Sequence, residues 1–258
     1  MKYMITGAEP RGERPDAGEI NRRVRYHQQK LDELLRARLR AGKPGLAFVS
    51  VGLGREAVTV KNRGGKHLRI DGPFPETKEL VGGFNVMDFD SLDEAIEYTK
   101  DEHLHQSHVG EIRAIREFWW ISQTRGSAAS KIFMLTFVED ERAVLSLPES
   151  ERTRIMRQHQ GVGAEYVARR AMLDQEPGLW VGARLQLSAQ AKTIRWNDGK
   201  RVVTDGPFAE TREVAGGFNL VACASMDEAI TWANKLAVRD GDAIEVRPVD
   251  GCWWVYHE

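Results

Sequence analysis

Two hydrophobic periods take turns along the chain. Ile20, Val24, Leu31, Leu34 and Leu35 fall at helical spacing and predict a long first helix with one apolar stripe. Ile155, Val162, Tyr166 and Leu173 predict a second such helix. After each of them the period shortens. "AKTIRW" and "KRVVT" carry β-branched alternation on either side of Asp198-Gly199, a strong tight-turn pair, so this stretch predicts a hairpin. "AVTVKN" and "KHLRI" flank Gly64-Gly65 in the same way. "KYMIT" and "KIFMLTF" read as opening strands, and further strands start near Phe84 and Phe218. Ser91 with Glu94, and Ser225 with Glu228, form capping boxes that open two more helices. The last strand of each set carries a Trp pair.

These elements form one set written twice. A shift of 134 residues carries "DGPFPETKELVGGFN" (71–85) onto "DGPFAETREVAGGFN" (205–219). The same shift carries "SLDEAI" onto "SMDEAI", and "EIRAIREFWWI" (111–121) onto "EVRPVDGCWWV" (245–255). "YMIT" at 3–6 matches "FMLT" at 133–136 with a shift of 130, so the second copy gained residues before the shared phrase. A period this long makes each copy a whole domain rather than a solenoid unit. The expected domains are residues 1–124 and 131–258, joined by the short, small and polar linker 125–130. The order β-α-β-β-α-β with an elaborated middle predicts an α+β, ferredoxin-like fold for each.

The repeated phrase is physically unusual. An Asp in a turn normally accepts the N–H two residues on, but Pro73 and Pro207 have none. The carboxylates of Asp71 and Asp205 must find other partners. Gly72 and Gly206, each before proline, are pushed toward extended or glycine-only conformations. Glu76, Lys78 and Glu79 follow in the first copy, and Glu210, Arg212 and Glu213 in the second. Gly82-Gly83 and Gly216-Gly217 allow a close backbone approach. Two readings stand: a structural corner with Phe plugged into the core, or a rigid loop presenting charged groups to a ligand cleft.

Composition narrows the classes. The 258 residues have an ordinary apolar share and a formal charge of −1, which lacks the basic footprint of a nucleic-acid binder. Cys223 and Cys252 are too few for a disulfide framework, so a reduced, cytoplasmic protein is expected. The opening "MKYMITGAEPRGERP" lacks the apolar core of a secretory signal, and no stretch suits a membrane span.

D-G-P-F-x-E-T-K/R-E-x-x-G-G-F, then S-x-D-E-A-I, then E-V-R-P resembles the DGPF-domain proteins of the YCII-related family. The first copy departs at the end, with "EIRA" at 111–114. The resemblance implies ferredoxin-like domains paired sheet to sheet as a dimeric α+β barrel, which a tandem chain can close on itself. It implies a small-molecule ligand, with cofactor-independent acid–base chemistry of an isomerase or lyase kind and no metal. Related proteins use a His–Asp pair in a cleft, which points to His27 and His159 in the first helices with Asp71 and Asp205. Both histidines also sit on apolar stripes, where packing alone accounts for them. DGPF proteins are also associated with extracytoplasmic-function sigma factors, so a non-catalytic regulatory partner is the alternative. Further homo-oligomerisation is compatible with either.

Other residues qualify the picture. Glu111 and Arg113 share one face of the last strand, as do Glu245 and Arg247. They serve either as cross-strand ion pairs or as the wall of an inter-sheet cleft, where Arg113 and Arg247 clamp a carboxylate or phenolate. With Glu76, Lys78, Glu210 and Arg212 they make up the expected ligand-binding set. Trp119-Trp120 and Trp253-Trp254 must point to opposite sheet faces. His103, His105 and His108 have no counterpart in the second copy and are weak metal candidates. Cys223 and Cys252 replace Phe89 and Phe118, which reads as packing rather than nucleophilic chemistry. Arg36, Arg38 and Arg40 read as solvation.

Overall fold

A computed structural model describes residues 1–10, 25–26, 29, 32–34, 36–42, 48–54, 56–73, 79–99, 109–123, 131–172, 178–197, 200–208 and 213–255. The first copy contributes β1 (Lys2–Pro10), β2 (Phe48–Leu53), β3 (Val58–Arg63), β4 (Lys66–Asp71), β5 (Glu79–Asp88), α1 (Leu92–Tyr98) and β6 (Val109–Gln123). The second contributes β7 (Lys131–Glu139), α2 (Glu141–Leu145), α3 (Glu149–Met172), β8 (Leu179–Leu185), β9 (Lys192–Asn197), β10 (Lys200–Asp205), β11 (Val214–Cys223), α4 (Met226–Leu236) and β12 (Ala243–Val255). Residues 36–40 are also helical. Both capping boxes form: Ser91 and Ser225 accept the N–H of Glu94 and Glu228. The Glu94 and Glu228 side chains return to the N–H groups of Asp90 and Ala224.

Eight antiparallel strands close a barrel in the order β1-β5-β2-β12-β7-β11-β8-β6 and back to β1. Each copy supplies four neighbouring strands. The two seams, β2 with β12 and β6 with β8, join one copy to the other. Closing the ring removes the sheet edges that each four-stranded half would expose. The long strands β6 and β12 serve both copies. Before a bulge near Ile115 or Val249 they pair with their own opening strand, and after it they follow the partner copy.

The hairpins predicted within each domain are placed across the seams. β3 pairs with β12 and β9 with β6, so each hairpin lies on the other copy. β2 and β8 instead complete each copy's own four strands. The exchange is fixed by packing. Val60 of β3 is 1% exposed within the second copy's core, beside Tyr166, Trp180 and Trp232. Ile194 of β9 joins Tyr3, Phe89 and Ala95 in the first. Burying one such side chain contributes about 1.5–3 kcal/mol. Asn62 and His67 bond the Ala237 carbonyl just past α4, and Arg201 donates to Ile96 O in α1.

Three cores result. Two lie between helices and sheet; the third fills part of the barrel with Met4, Phe84, Val86, Met134, Val181, Phe218 and Leu220. Phe84 and Phe218, from the two G-G-F phrases, meet there with ring centroids 4.8 Å apart. Trp119 and Trp120 do take opposite faces: Trp119 packs on the second copy's helix-side core and Trp120 in the barrel. Cys223 is buried among apolar neighbours, and burial pushes its thiol pKa up. Arg38 departs from the solvated reading. It is 6% exposed, 3.6 Å from Asp90 and from Glu94, while Arg36 is exposed. No helix among the described residues is long and apolar enough to cross a membrane.

Candidate functional site

The repeated Asp-Gly-Pro-Phe phrase forms the corner that its composition demands. Gly72 and Gly206 adopt φ of 107° and 91°, a region that side-chain-bearing residues avoid. In the second copy four backbone groups of this corner are satisfied. Gly206 N–H donates to Ala191 O, and Thr193 Oγ1 donates to Gly206 O. Arg195 donates to Phe208 O, and Phe208 N–H donates to Glu111 at 3.2 Å. The last contact resolves the proline puzzle: the N–H that Asp205 might have captured goes to a carboxylate of the other copy. Thr59 and Gly72 repeat the Thr–Gly bond in the first copy.

Behind these corners a cavity of about 130 Å³ lies inside the barrel. Both copies line it. Met4, Leu53, Met134, Leu185 and Phe218 supply apolar wall, Thr6 and Thr136 hydroxyls, and Pro73, Pro207 and Phe208 the rim from the two corners. The charged wall is Glu111, Arg113, Glu213, Glu245 and Arg247. Strand alternation places Glu111 with Arg113, and Glu245 with Arg247, on the barrel-facing side. All but Glu213 come from the pair of strands that serves both copies.

The two arginines occupy equivalent places with different partners. Arg113 donates through Nε and Nη2 to Glu111 Oε1 at 2.8 and 2.5 Å, and through Nη1 to Ala215 O at 2.6 Å. Arg247 donates through Nε and Nη2 to Gly54 O at 2.9 and 2.7 Å, and through Nη1 to Val81 O at 2.6 Å. Each therefore stitches across a seam. Glu245 Oε1 stands 3.8 Å from Arg247 Nη1. Both guanidinium groups are buried, at 5% and 2% exposure. Burial pulls the Arg247 pKa below its ordinary value, with Glu245 and Asp250 opposing. Glu213 is held by Lys61 at 3.5 Å.

The glycine pairs have a structural reason at this rim. A Cβ on Gly217 would sit 2.4 Å from Ala183 O of the neighbouring strand, and one on Gly216 would meet the Glu139 side chain. The backbone bulges there, between Ala215 and Gly217.

Of the expected His–Asp pairs, Asp71, Asp205 and His159 are described, and none of the three lines the cavity. Asp71 is 86% exposed and paired with Arg69; Asp205 is 85% exposed and paired with Lys192. His159 faces the helix side of the sheet. It bonds Leu236 O at 3.0 Å and stacks on Phe137, and burial lowers its pKa. His27, Glu76, Lys78, Glu210 and Arg212 lie outside the described residues, as do His103, His105, His108 and the linker 125–130. Among the described residues no cluster of His, Cys, Asp or Glu has the arrangement of a metal site. Arg113 and Arg247 are the expected residues that the fold brings together. Glu213 belongs to the charged loop that the sequence offers to a cleft; the apolar wall was not foreseen, and the same-face spacing of Met4 with Thr6, and of Met134 with Thr136, was the available signal.

The YCII-related domain model matches residues 1–119 and again residues 133–251. An uncharacterised protein of Rhizobium meliloti (strain 1021) is 36% identical over 121 residues, 46% of this chain and 91% of that protein. It is similar in length to one copy.

Proposed function

The chain belongs to the YCII-related domain family and carries the domain twice; on that premise we propose that the barrel is a binding chamber. Its ligand is one small, compact, mainly apolar molecule bearing an acidic oxygen group, a carboxylate or an enolate. One observation carries this reading: two Glu–Arg pairs with buried arginines, one from each copy, face a single cavity that both copies line. An apolar cavity of about 150 Å³ admits benzene, so this one suits a single ring or a short branched chain. Buried arginine matches planar, bidentate oxygen groups better than any other side chain. Glu245 is the carboxylate beside it that accepts or returns a proton in isomerase-like or lyase-like chemistry.

The test is calorimetric titration of the whole chain with benzoate, 3-methylbutanoate and neutral benzamide. Saturable binding of an acid, one per chain, supports the chamber. Absence of saturable binding by all three in a folded protein sinks it. For the chemistry, exchange of the 3-methylbutanoate α-hydrogens into deuterium oxide, lost in Glu245→Gln, is the expected signature.

A further inference from the structure

The two Glu–Arg pairs are equivalent by sequence and by position, yet they have divided their work. Resting on the chamber reading above, we infer that Arg247 is the seat for the ligand's acidic group, while Glu111–Arg113 is a latch between the copies.

The difference lies in what each guanidinium touches. Arg113 spends two N–H groups on one carboxylate oxygen at 2.5–2.8 Å, so its charge is neutralised in contact. The second oxygen of that carboxylate takes Phe208 N–H, which ties the corner of the second copy to a strand of the first. Arg247 uses the same three N–H positions, but on carbonyls: Gly54 O twice and Val81 O once. Carbonyl oxygens orient a guanidinium without cancelling its charge. Its carboxylate neighbour is 3.8 Å away, beyond hydrogen-bond reach. The remaining cavity carboxylate, Glu213, has its cation in Lys61. Among the described residues, Arg247 is thus the buried cation at this wall whose directed bonds meet no anion, its ion pair with Glu245 being the loose one at 3.8 Å. Five N–H groups leave two for a ligand. Its side chain is 2% exposed, so an incoming carboxylate meets a strong field.

The experiment measures the affinity ratio of benzoate to benzamide, which share shape and differ in charge. Wild type should prefer benzoate. Arg247→Gln should erase at least tenfold of that preference, whereas Glu111→Gln with Arg113→Gln together should erase less than threefold. Near-ultraviolet circular dichroism checks that each variant is folded. A crystal of the wild-type chain with benzoate decides without any variant: carboxylate oxygens within about 3 Å of Arg247 nitrogens support the seat. A carboxylate placed on Arg113, or a preference lost through the Glu111–Arg113 pair instead, overturns it while leaving the chamber intact. If benzoate, benzamide and 3-methylbutanoate all fail to bind the folded wild type, the chamber itself falls and the seat with it; 3-methylbutanoate bound alone keeps the chamber, and its carboxylate lying away from Arg247 in a crystal overturns the seat.

Discussion

Breaking the Glu111–Arg113 latch gives the sharpest energetic prediction. Arg113→Met would strand a carboxylate that is 5% exposed and leave Ala215 O without its donor. Glu111→Leu would strand the guanidinium and release Phe208 N–H. Removing one partner of a buried pair costs about 3–5 kcal/mol, because the survivor keeps its desolvation penalty. The double variant Glu111→Leu, Arg113→Met buries no charge. It still forfeits two bonds to backbone groups, worth about 1–2 kcal/mol each. It should therefore lose less than the two single variants together, with a coupling energy of at least about 2 kcal/mol. The assay is a double-mutant cycle from urea denaturation, followed by far-ultraviolet circular dichroism and by tryptophan fluorescence. Trp119 and Trp120 at the seam are two of the chain's seven tryptophans, so the second probe follows tertiary packing across both copies. Single variants costing under about 1 kcal/mol, and additive, would match a solvent-exposed pair and refute the latch.

Three further outcomes follow from the packing. Gly217→Ala should cost about 1–3 kcal/mol by thermal denaturation, because its Cβ meets a backbone carbonyl that cannot swing away. Cys223, buried and with its thiol pKa raised, should escape iodoacetamide at pH 8 in the native chain and label after unfolding, as read by peptide mass spectrometry. His159 titrates below 6.5 in the fold, so the unfolded chain takes the proton first. Its contribution should be complete above a pH of about 6.5 and decline as pH falls toward the lower folded value; His159→Gln should flatten that slope in urea titrations.

Much of this architecture was legible because duplication doubles every signal. The capping boxes, the opening strands and the alternation of Glu111 with Arg113 rest on local geometry, which sequence reports well. The hairpin exchange was not legible. "AVTVKN-RGG-KHLRI" announces a hairpin but not its owner, since Val60 packs equally well on either copy's helices by composition. β2 and β8 were missed for a related reason. "LWVGARL" is buried at five successive positions, and a run buried on both faces gives no period to read; "FVSVGL" is too short a run to declare itself. The Asp of the repeated phrase drew attention as a turn residue robbed of its N–H. The structure shows the next N–H along, that of Phe208, captured by Glu111 from the other copy, a long-range partner that no local pattern encodes. Arg38 escaped notice because a charge on a helix reads as solvated until a neighbouring element covers it.

Closure of one barrel by both copies within one chain is the premise beneath the cavity, the latch and the seat. Glu117 and Arg184 face each other across the β6–β8 seam, 3.6 Å apart. A chain carrying Glu117→Cys and Arg184→Cys, with Cys223→Ala and Cys252→Ala, should oxidise to a monomeric disulfide, since directly paired strand positions suit that bond. Peptide mapping should join β6 to β8 within one molecule, and unfolding should stay cooperative. A disulfide that appears only between molecules, or fails to form while the protein remains folded, would contradict the closed intramolecular barrel.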